Sequence, residues 1–393
     1  MKYIPREIEP KITAAVKYSP VIAVTGPRQT GKSTMLKHLF PKYSYISFDS
    51  SDLRASARND PQMFVENLKK PVIIDEIQYV PEIIPYIKIY VDNFTTALKN
   101  EEIAGKFILT GSQAFTMMAG LTESLAGRIA LFELLPFSFS ELNLKMTQPL
   151  SCYKQLLRGF YPLPNASDRE SGEYYGDYLS TYIERDVRQI LNIKDIGAFQ
   201  TFVQVLAART GSMLNIANIA RDCSISHATA KNWLSILTAS RIIYLLEPYF
   251  RNITKRVVKT PKVYFTDTGL LAHLLRYKDA ETLISGPMSG NIFENMVIME
   301  AVKNNNNAKK GNHFYFYRDN NGVETDLIIE GGQFINLYEI KASKTLKYEM
   351  AKNLSLTPIK ADKKFVLSFN ENSMPLGNNI TAILWSDFSK TFD

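Results

Sequence analysis

The sequence predicts a doubly wound α/β domain at the N-terminal end, then a helical segment and a second, smaller α/β domain. Three observations predict it. Within the first 135 residues, five short apolar runs rich in β-branched and aromatic residues are each followed by a polar or periodic stretch. Runs of that length suit strands buried on both faces of a parallel sheet. Beyond Pro136 the texture changes to Tyr, Leu and charge with helical spacing. Beyond the turn-rich SGPMSGN (285–291), a helical run precedes three strand-like segments joined by the hairpin-type connections DNNG and GG.

In chain order, the first five strands are VIAVT (21–25), YSYISF (43–48), PVIID (71–75), KFILTG (106–111) and IALFELL (129–135). The changes of texture place domains at 1–145, 146–284 and 285–393. In the middle segment a short helix over 216–222 leads to a turn where Ser226 suits an N-cap. The next helix carries Ala230, Trp233, Leu234 and Leu237 at i, i+3, i+4 and i+7, one helical face. With the β-rich IIYLLEPYF after it, this order suggests a winged helix-turn-helix. The last segment reads as helix, strands over 313–318, 323–330 and 334–342, a helix over 344–354, and strands over 364–369 and 381–385.

Composition bounds the function. A chain of 393 residues with 45% hydrophobic and 22% charged residues is globular rather than disordered, and long enough for more than one core. No apolar run reaches the roughly 18 residues that cross a bilayer. The start, MKYIPREIEPKITAAV, has no apolar secretory core. No membrane partner and a cytoplasmic location are therefore expected. Two cysteines, Cys152 and Cys223, make neither a disulfide framework nor a Cys-based zinc site. The net charge of +7 leans toward a polyanion partner.

The strongest motif is Gly26-Pro27-Arg28-Gln29-Thr30-Gly31-Lys32-Ser33, the pattern G-x-x-x-x-G-K-[ST], between a strand and a helix. Such a turn directs backbone N–H groups and a helix N-terminus at phosphate oxygens. ATP and Mg²⁺ are the expected cofactors. Lys32 is placed on the β- and γ-phosphates, Ser33 on Mg²⁺ and Thr34 on a secondary phosphate contact. Asp75 ends a buried strand and suits a Mg²⁺-bound water, and Glu76 beside it suits the attacking water. At the end of Leu109-Thr110-Gly111-Ser112-Gln113, Ser112 or Gln113 is the candidate γ-phosphate or water contact. This strand is expected to lie between the other two.

GPRQTGKST, VIIDEIQ, LTGSQ and LAGRIALFELLPFSFSEL together resemble the ATPase domain of a prokaryotic AAA-type family joined to a C-terminal domain of unknown function. YIERDVRQILNIKD and KTPKVYFTDTGLLAHLL resemble the body of that second domain. The resemblance implies a P-loop ATPase of the additional-strand catalytic-glutamate kind that binds and hydrolyses ATP. Such sites are usually completed by an arginine from the same chain or a neighbour. Arg128 is the first candidate, followed by Arg28, Arg185 and Arg188, and each equally suits a structural ion pair. Homo-oligomer and protein partner both stay open.

In the last segment, Glu339 and Lys341 lie two apart on one strand and so face the same side. Asp326 lies on the neighbouring strand, and Glu294 on the preceding helix suits a fourth member. Carboxylates at short range can hold Mg²⁺, and a lysine can activate water. The arrangement resembles the PD-(D/E)xK nucleases, with Glu324-Thr325 where the name calls for proline. The same pattern suits a solvated strand face with cross-strand pairs, and hence an inert fold. Arg251, Lys255, Arg256, Lys259 and Lys262 suit a basic wing, with His227, Thr229, Lys231 and Asn232 facing a DNA groove. A lid or protein-docking role suits the same module. Two functions follow: an ATP-driven enzyme acting on DNA, or a nucleotide-switched regulatory scaffold with an inert nuclease fold.

Overall fold

The computed structural model describes residues 2–97, 103–111, 124–142, 148–183, 195–249 and 260–392. The chain forms two compact units, one holding residues 3–136 with 239–241 and the other holding 137–238 and 242 onward. Among the described residues no helix is long and apolar enough to cross a membrane.

The first unit is built on five parallel strands, β1 (Val21–Thr25), β2 (Ser44–Ser47), β3 (Val72–Asp75), β4 (Phe107–Gly111) and β5 (Ile129–Glu133). Their spatial order is β2-β3-β4-β1-β5, so β4 lies between β1 and β3 as expected. Every residue of β1, β3 and β4 is buried, whereas β2 and β5 at the edges are half-buried. Alternation sends Val21, Ala23, Val72, Ile74, Phe107 and Leu109 into one core layer. Ile22, Val24, Ile73 and Ile108 enter the other. The continuous apolar runs thus reflect a sheet covered on both faces.

The second unit contains an eight-stranded sheet ordered β12-β13-β11-β10-β9-β8-β6-β7. Its strands are β6 (Ile243–Pro248), β7 (Lys262–Phe265), β8 (His313–Arg318), β9 (Glu324–Glu330), β10 (Ile335–Ile340), β11 (Lys363–Ser368), β12 (Met374–Pro375) and β13 (Ile380–Leu384). The expected meander is present, since β8, β9 and β10 pair antiparallel. The sheet also runs across the expected boundary near residue 285. β6 pairs with β8 through Glu247–Tyr315 and Pro248–Phe316, so residues before and after 285 share one sheet. A hydrogen-bonded ladder cannot be cut there without exposing two strand edges.

Upstream of that ladder lie helices Ile196–Ala207, Ile216–Asp222 and His227–Ala239, then the antiparallel pair β6 and β7. Ser226 Oγ accepts from Thr229 N at 3.0 Å, the expected N-cap. Ala230, Trp233, Leu234, Ile236 and Leu237 are buried, with Trp233 edge-on to Phe199 and Phe202. The outer side of β7 is closed by main chain and by one side chain. Gly211 N donates to Val263 O at 2.8 Å, and Val263 N to Ser212 O at 3.2 Å. Asn295, on the helix Ser289–Ala308, accepts from Phe265 N at 2.7 Å and donates to Phe265 O at 2.8 Å. A fully buried amide here mimics a neighbouring strand.

Asn295→Leu leaves Phe265 N–H and C=O buried without that partner. A cost of about 2–6 kcal/mol is expected, at roughly 1–3 kcal/mol per stranded group. Urea unfolding followed by the near-ultraviolet signal of the second unit measures it, and an unchanged midpoint would contradict this reading of β7.

Candidate functional site

β1 ends at Thr25, and residues 26–31 turn the chain into the helix Lys32–Leu39. Three of them take left-handed or otherwise positive φ: Gly26 at 138°, Gln29 at 60° and Gly31 at 88°. A Cβ at Gly26 would run into the carbonyl oxygen of Leu134, so the first glycine is required by close approach. Inside the turn, Thr30 Oγ1 donates to Pro27 O at 3.0 Å, and both residues are buried. Lys32 Nζ donates to Gly26 O at 2.9 Å and to Pro27 O at 2.7 Å. Arg28 Nη2 donates to Tyr79 Oη at 3.3 Å, and Thr34 is exposed on the helix.

The acid at the end of β3 meets this turn. Ser33 Oγ donates to Asp75 Oδ2 at 2.7 Å. Tyr45 Oη, from β2, donates to the same oxygen at 2.5 Å, and Thr110 Oγ1, from β4, donates to Asp75 Oδ1. Burial first, and then the bond to Asp75, holds the Tyr45 phenol well above its ordinary pKa, so it stays a donor. Glu76 follows in the left-handed region, φ 56° and ψ 45°, and accepts from Gln78 Nε2. A non-glycine residue held there is strained backbone of the kind found at functional sites. The donor set of Ser33 hydroxyl and Asp75 carboxylate suits a hard divalent cation. The positive-φ turn, with no room for a Cβ at Gly26, suits a phosphate group.

Sequence reasoning missed three contributors. Thr110 is the β4 residue on Asp75; Ser112 and Gln113 lie outside the described residues, as do Arg185 and Arg188. Tyr45 sits in a strand with no motif. Arg6 is buried, donating from Nη1 to Thr30 O at 3.0 Å and from Nη2 to Leu135 O at 2.7 Å.

Arg128 does not join the site within this chain. Its carbonyl accepts from Val21 N at 3.2 Å, at the start of β1, while the phosphate turn follows the end of β1. Five parallel residues, about 13 Å of strand, lie between. Its guanidinium pairs with Asp92 and donates to Ala126 O at 2.9 Å.

The second cluster also assembles, with unexpected members. Lys341 Nζ lies 2.6 Å from Glu339 Oε1 and 3.9 Å from Asp326 Oδ2. Asp326 Oδ2 accepts from Ile340 N at 2.8 Å. Glu294 Oε1 accepts from Tyr264 Oη at 2.6 Å and from Lys262 Nζ at 3.2 Å. Lys262 Nζ lies 2.6 Å from Glu324 Oε1 as well. Lys262 is therefore no basic-wing residue: it is 2% exposed and neutralised by acids. Arg251, Lys255, Arg256 and Lys259 lie outside the described residues. The expected metal pair Asp326 and Glu339, with Glu294 and Lys341, also needs correction. Among the described residues no three His, Cys, Asp or Glu side chains are arranged to hold a metal ion. Here the acids converge on ammonium groups instead.

Comparison with known protein families divides the chain in three. Residues 18–143 match the AAA domain family AAA_14. That match lies largely within the first unit. Residues 151–281 and 289–388 match two domains of unknown function, DUF8612 and DUF4143. The chain is 27% identical over 381 residues to an uncharacterized protein of Mycobacterium tuberculosis, covering 96% of this chain and 83% of that protein. An uncharacterized protein of Haemophilus influenzae is 22% identical over 333 residues, covering 77% and 78%. Among solved structures, a Walker-type ATPase of Pyrococcus abyssi aligns with a TM-score of 0.43 at 16% identity, over 68% of this chain and 95% of that one. RuvB of Thermotoga maritima aligns with a TM-score of 0.31 at 14% identity, over 63% and 91%.

The buried Glu339 makes stability depend on pH. Burial first, and then Asp326, push its carboxyl from 4.5 up to about 8 against the pull of Lys341. A raised acid favours folding when protonated, so its contribution is present below about pH 4.5 and is lost as pH rises toward 8. Glu339→Gln removes this loss, and thermal melts at pH 6 and 9 should lie closer together than in wild type. An unchanged separation would contradict the assignment.

Proposed function

We propose that this chain binds and hydrolyses ATP in the AAA domain, and uses the nucleotide cycle to control a DNA-contacting second unit. The observation that carries the first half is the 2.7 Å contact between Ser33 and Asp75, which joins the phosphate turn to the acid of β3 across the inserted strand β4. In this reading the amides of residues 26–31 cradle the β-phosphate. Lys32 exchanges its two carbonyl partners for β- and γ-phosphate oxygens. Ser33 and Asp75 would hold Mg²⁺, which when bound supplies neutralising charge on the phosphates. Tyr45 and Thr110 fix the Asp75 carboxylate so that it need not reorganise. Glu76 accepts the proton of the water whose oxygen attacks the γ-phosphorus, as the bond to the β–γ bridging oxygen breaks and ADP departs.

Glu76→Gln should keep ATP binding and lose at least about 10²-fold in turnover. Lys32→Ala should lose binding. Phosphate release and fluorescent-nucleotide titration separate the two; turnover in Glu76→Gln at the wild-type rate would overturn the role of Glu76.

The second half rests on the helix His227–Ala239. We read residues 196–249 with 260–265 as part of a winged helix, with His227, Lys231 and Asn232 exposed and Trp233 buried. Those exposed side chains suit a nucleic-acid groove. Lys231→Ala should weaken a mobility shift of duplex DNA at low salt without altering ATP turnover; no shift with wild type would remove DNA from the proposal. For residues 289–388 we read a nuclease-like fold. The position of Lys262 among its acids favours the inert form of that fold over a metal-dependent nuclease.

A further inference from the structure

Four carboxylates, Glu294, Glu324, Asp326 and Glu339, gather around β7, β9, β10 and the helix Ser289–Ala308. Among the described residues, the cations facing them are Lys262, Arg318 and Lys341. Arg318 Nη1 holds the outer oxygen of Glu324 at 2.8 Å, and Lys341 serves Glu339 and Asp326. Lys262 lies deepest. It is 2% exposed, with Glu324 at 2.6 Å and Glu294 at 3.2 Å. A lone ammonium in that setting would lose its charge to desolvation. Here the two carboxylates in contact with the ammonium offset that burial.

The lysine is also tied in place by its backbone. Lys262 pairs with Leu246 across the β6–β7 ladder and bridges Met213 on the other side. Its backbone is therefore fixed beside the cluster. One oxygen remains: Glu339 Oε2 is buried and has no partner, in a residue 3% exposed. Among the described residues, four acids here face three bases. A divalent cation would bring two charges and require about six oxygen ligands at 2.0–2.6 Å, in space that the Lys262 side chain fills.

We propose that Lys262 is a tethered cation occupying the ion position of this acid cluster, so that the folded chain takes no divalent metal there, and that removing its ammonium opens the cluster to Mn²⁺ or Mg²⁺. The proposal deepens the reading of the second unit as an inert nuclease-like fold. Glu294 and Glu324, which share the ammonium, become the protein ligands once it is gone, with water completing the shell, and Lys341 stays paired with Glu339.

The test uses full-length, nucleotide-free protein and Mn²⁺ counted by electron paramagnetic resonance. Wild type and Asp326→Asn should bind the same number of ions. Lys262→Ala should bind one more per chain, and Lys262→Ala combined with Glu294→Gln should lose that ion again. An ion in wild type that disappears in Asp326→Asn overturns the proposal, as does folded Lys262→Ala with no additional ion. If Lys262→Ala fails to fold, the comparison of wild type with Asp326→Asn still decides whether the native cluster holds metal. A failed DNA shift would fault only the DNA reading, and absent ATP turnover only the nucleotide reading.

Discussion

The turn between Thr25 and Lys32 must keep its amides available to a ligand and yet hold one shape. Main chain that does not bond to itself is ordinarily mobile, so other groups must immobilise it. Gly26 lies directly against the Leu134 carbonyl, which fixes where the turn leaves β1. Arg6 then joins Thr30 to Leu135, linking the far side of the turn to the exit of β5. A buried guanidinium is costly, and two carbonyl acceptors offset part of that cost. The turn is thus held by the strand beside it and by a segment that precedes the whole sheet.

Parallel strand order determines what else can reach that turn. The C-terminal ends of β1, β3 and β4 lie together, so the residues that end or follow those strands share one edge. Ser33, Asp75, Glu76 and Thr110 come from there. Residues that precede a strand lie at the opposite edge, which is why Arg128 pairs with Asp92 far from the turn. The apolar character of β1, β3 and β4 therefore positions chemistry as well as building the core.

Much of this was legible in the sequence because it was local. Five apolar runs marked five strands, the phosphate turn carried its own glycines, and Ser226 marked a helix start. The unread part depends on partners distant along the chain. Arg6 and Tyr45 reach the site from segments without a motif, and nothing beside Lys262 announces that it will face Glu294 and Glu324. The continuity of the sheet across residue 285 was unread for a similar reason: a turn-rich stretch signals the end of an element, but the pairing of β6 with β8 is a contact across some seventy residues. The position of Arg128 was open to inference, since parallel pairing of β1 and β5 already places the residue before β5 at the wrong edge.

The two units divide the chemistry between them. In the first, an acid is surrounded by hydroxyl donors, Ser33, Tyr45 and Thr110, that a metal ion can replace or supplement. In the second, acids are matched by ammonium and guanidinium groups built into the chain. The first arrangement invites a ligand and the second supplies its own. Isothermal titration of purified full-length chain with ATP, with and without Mg²⁺, tests the central claim most directly. The account predicts one nucleotide per chain, bound more tightly with Mg²⁺, and loss of that Mg²⁺ dependence in Asp75→Asn. A chain that takes up no nucleotide under either condition would contradict it.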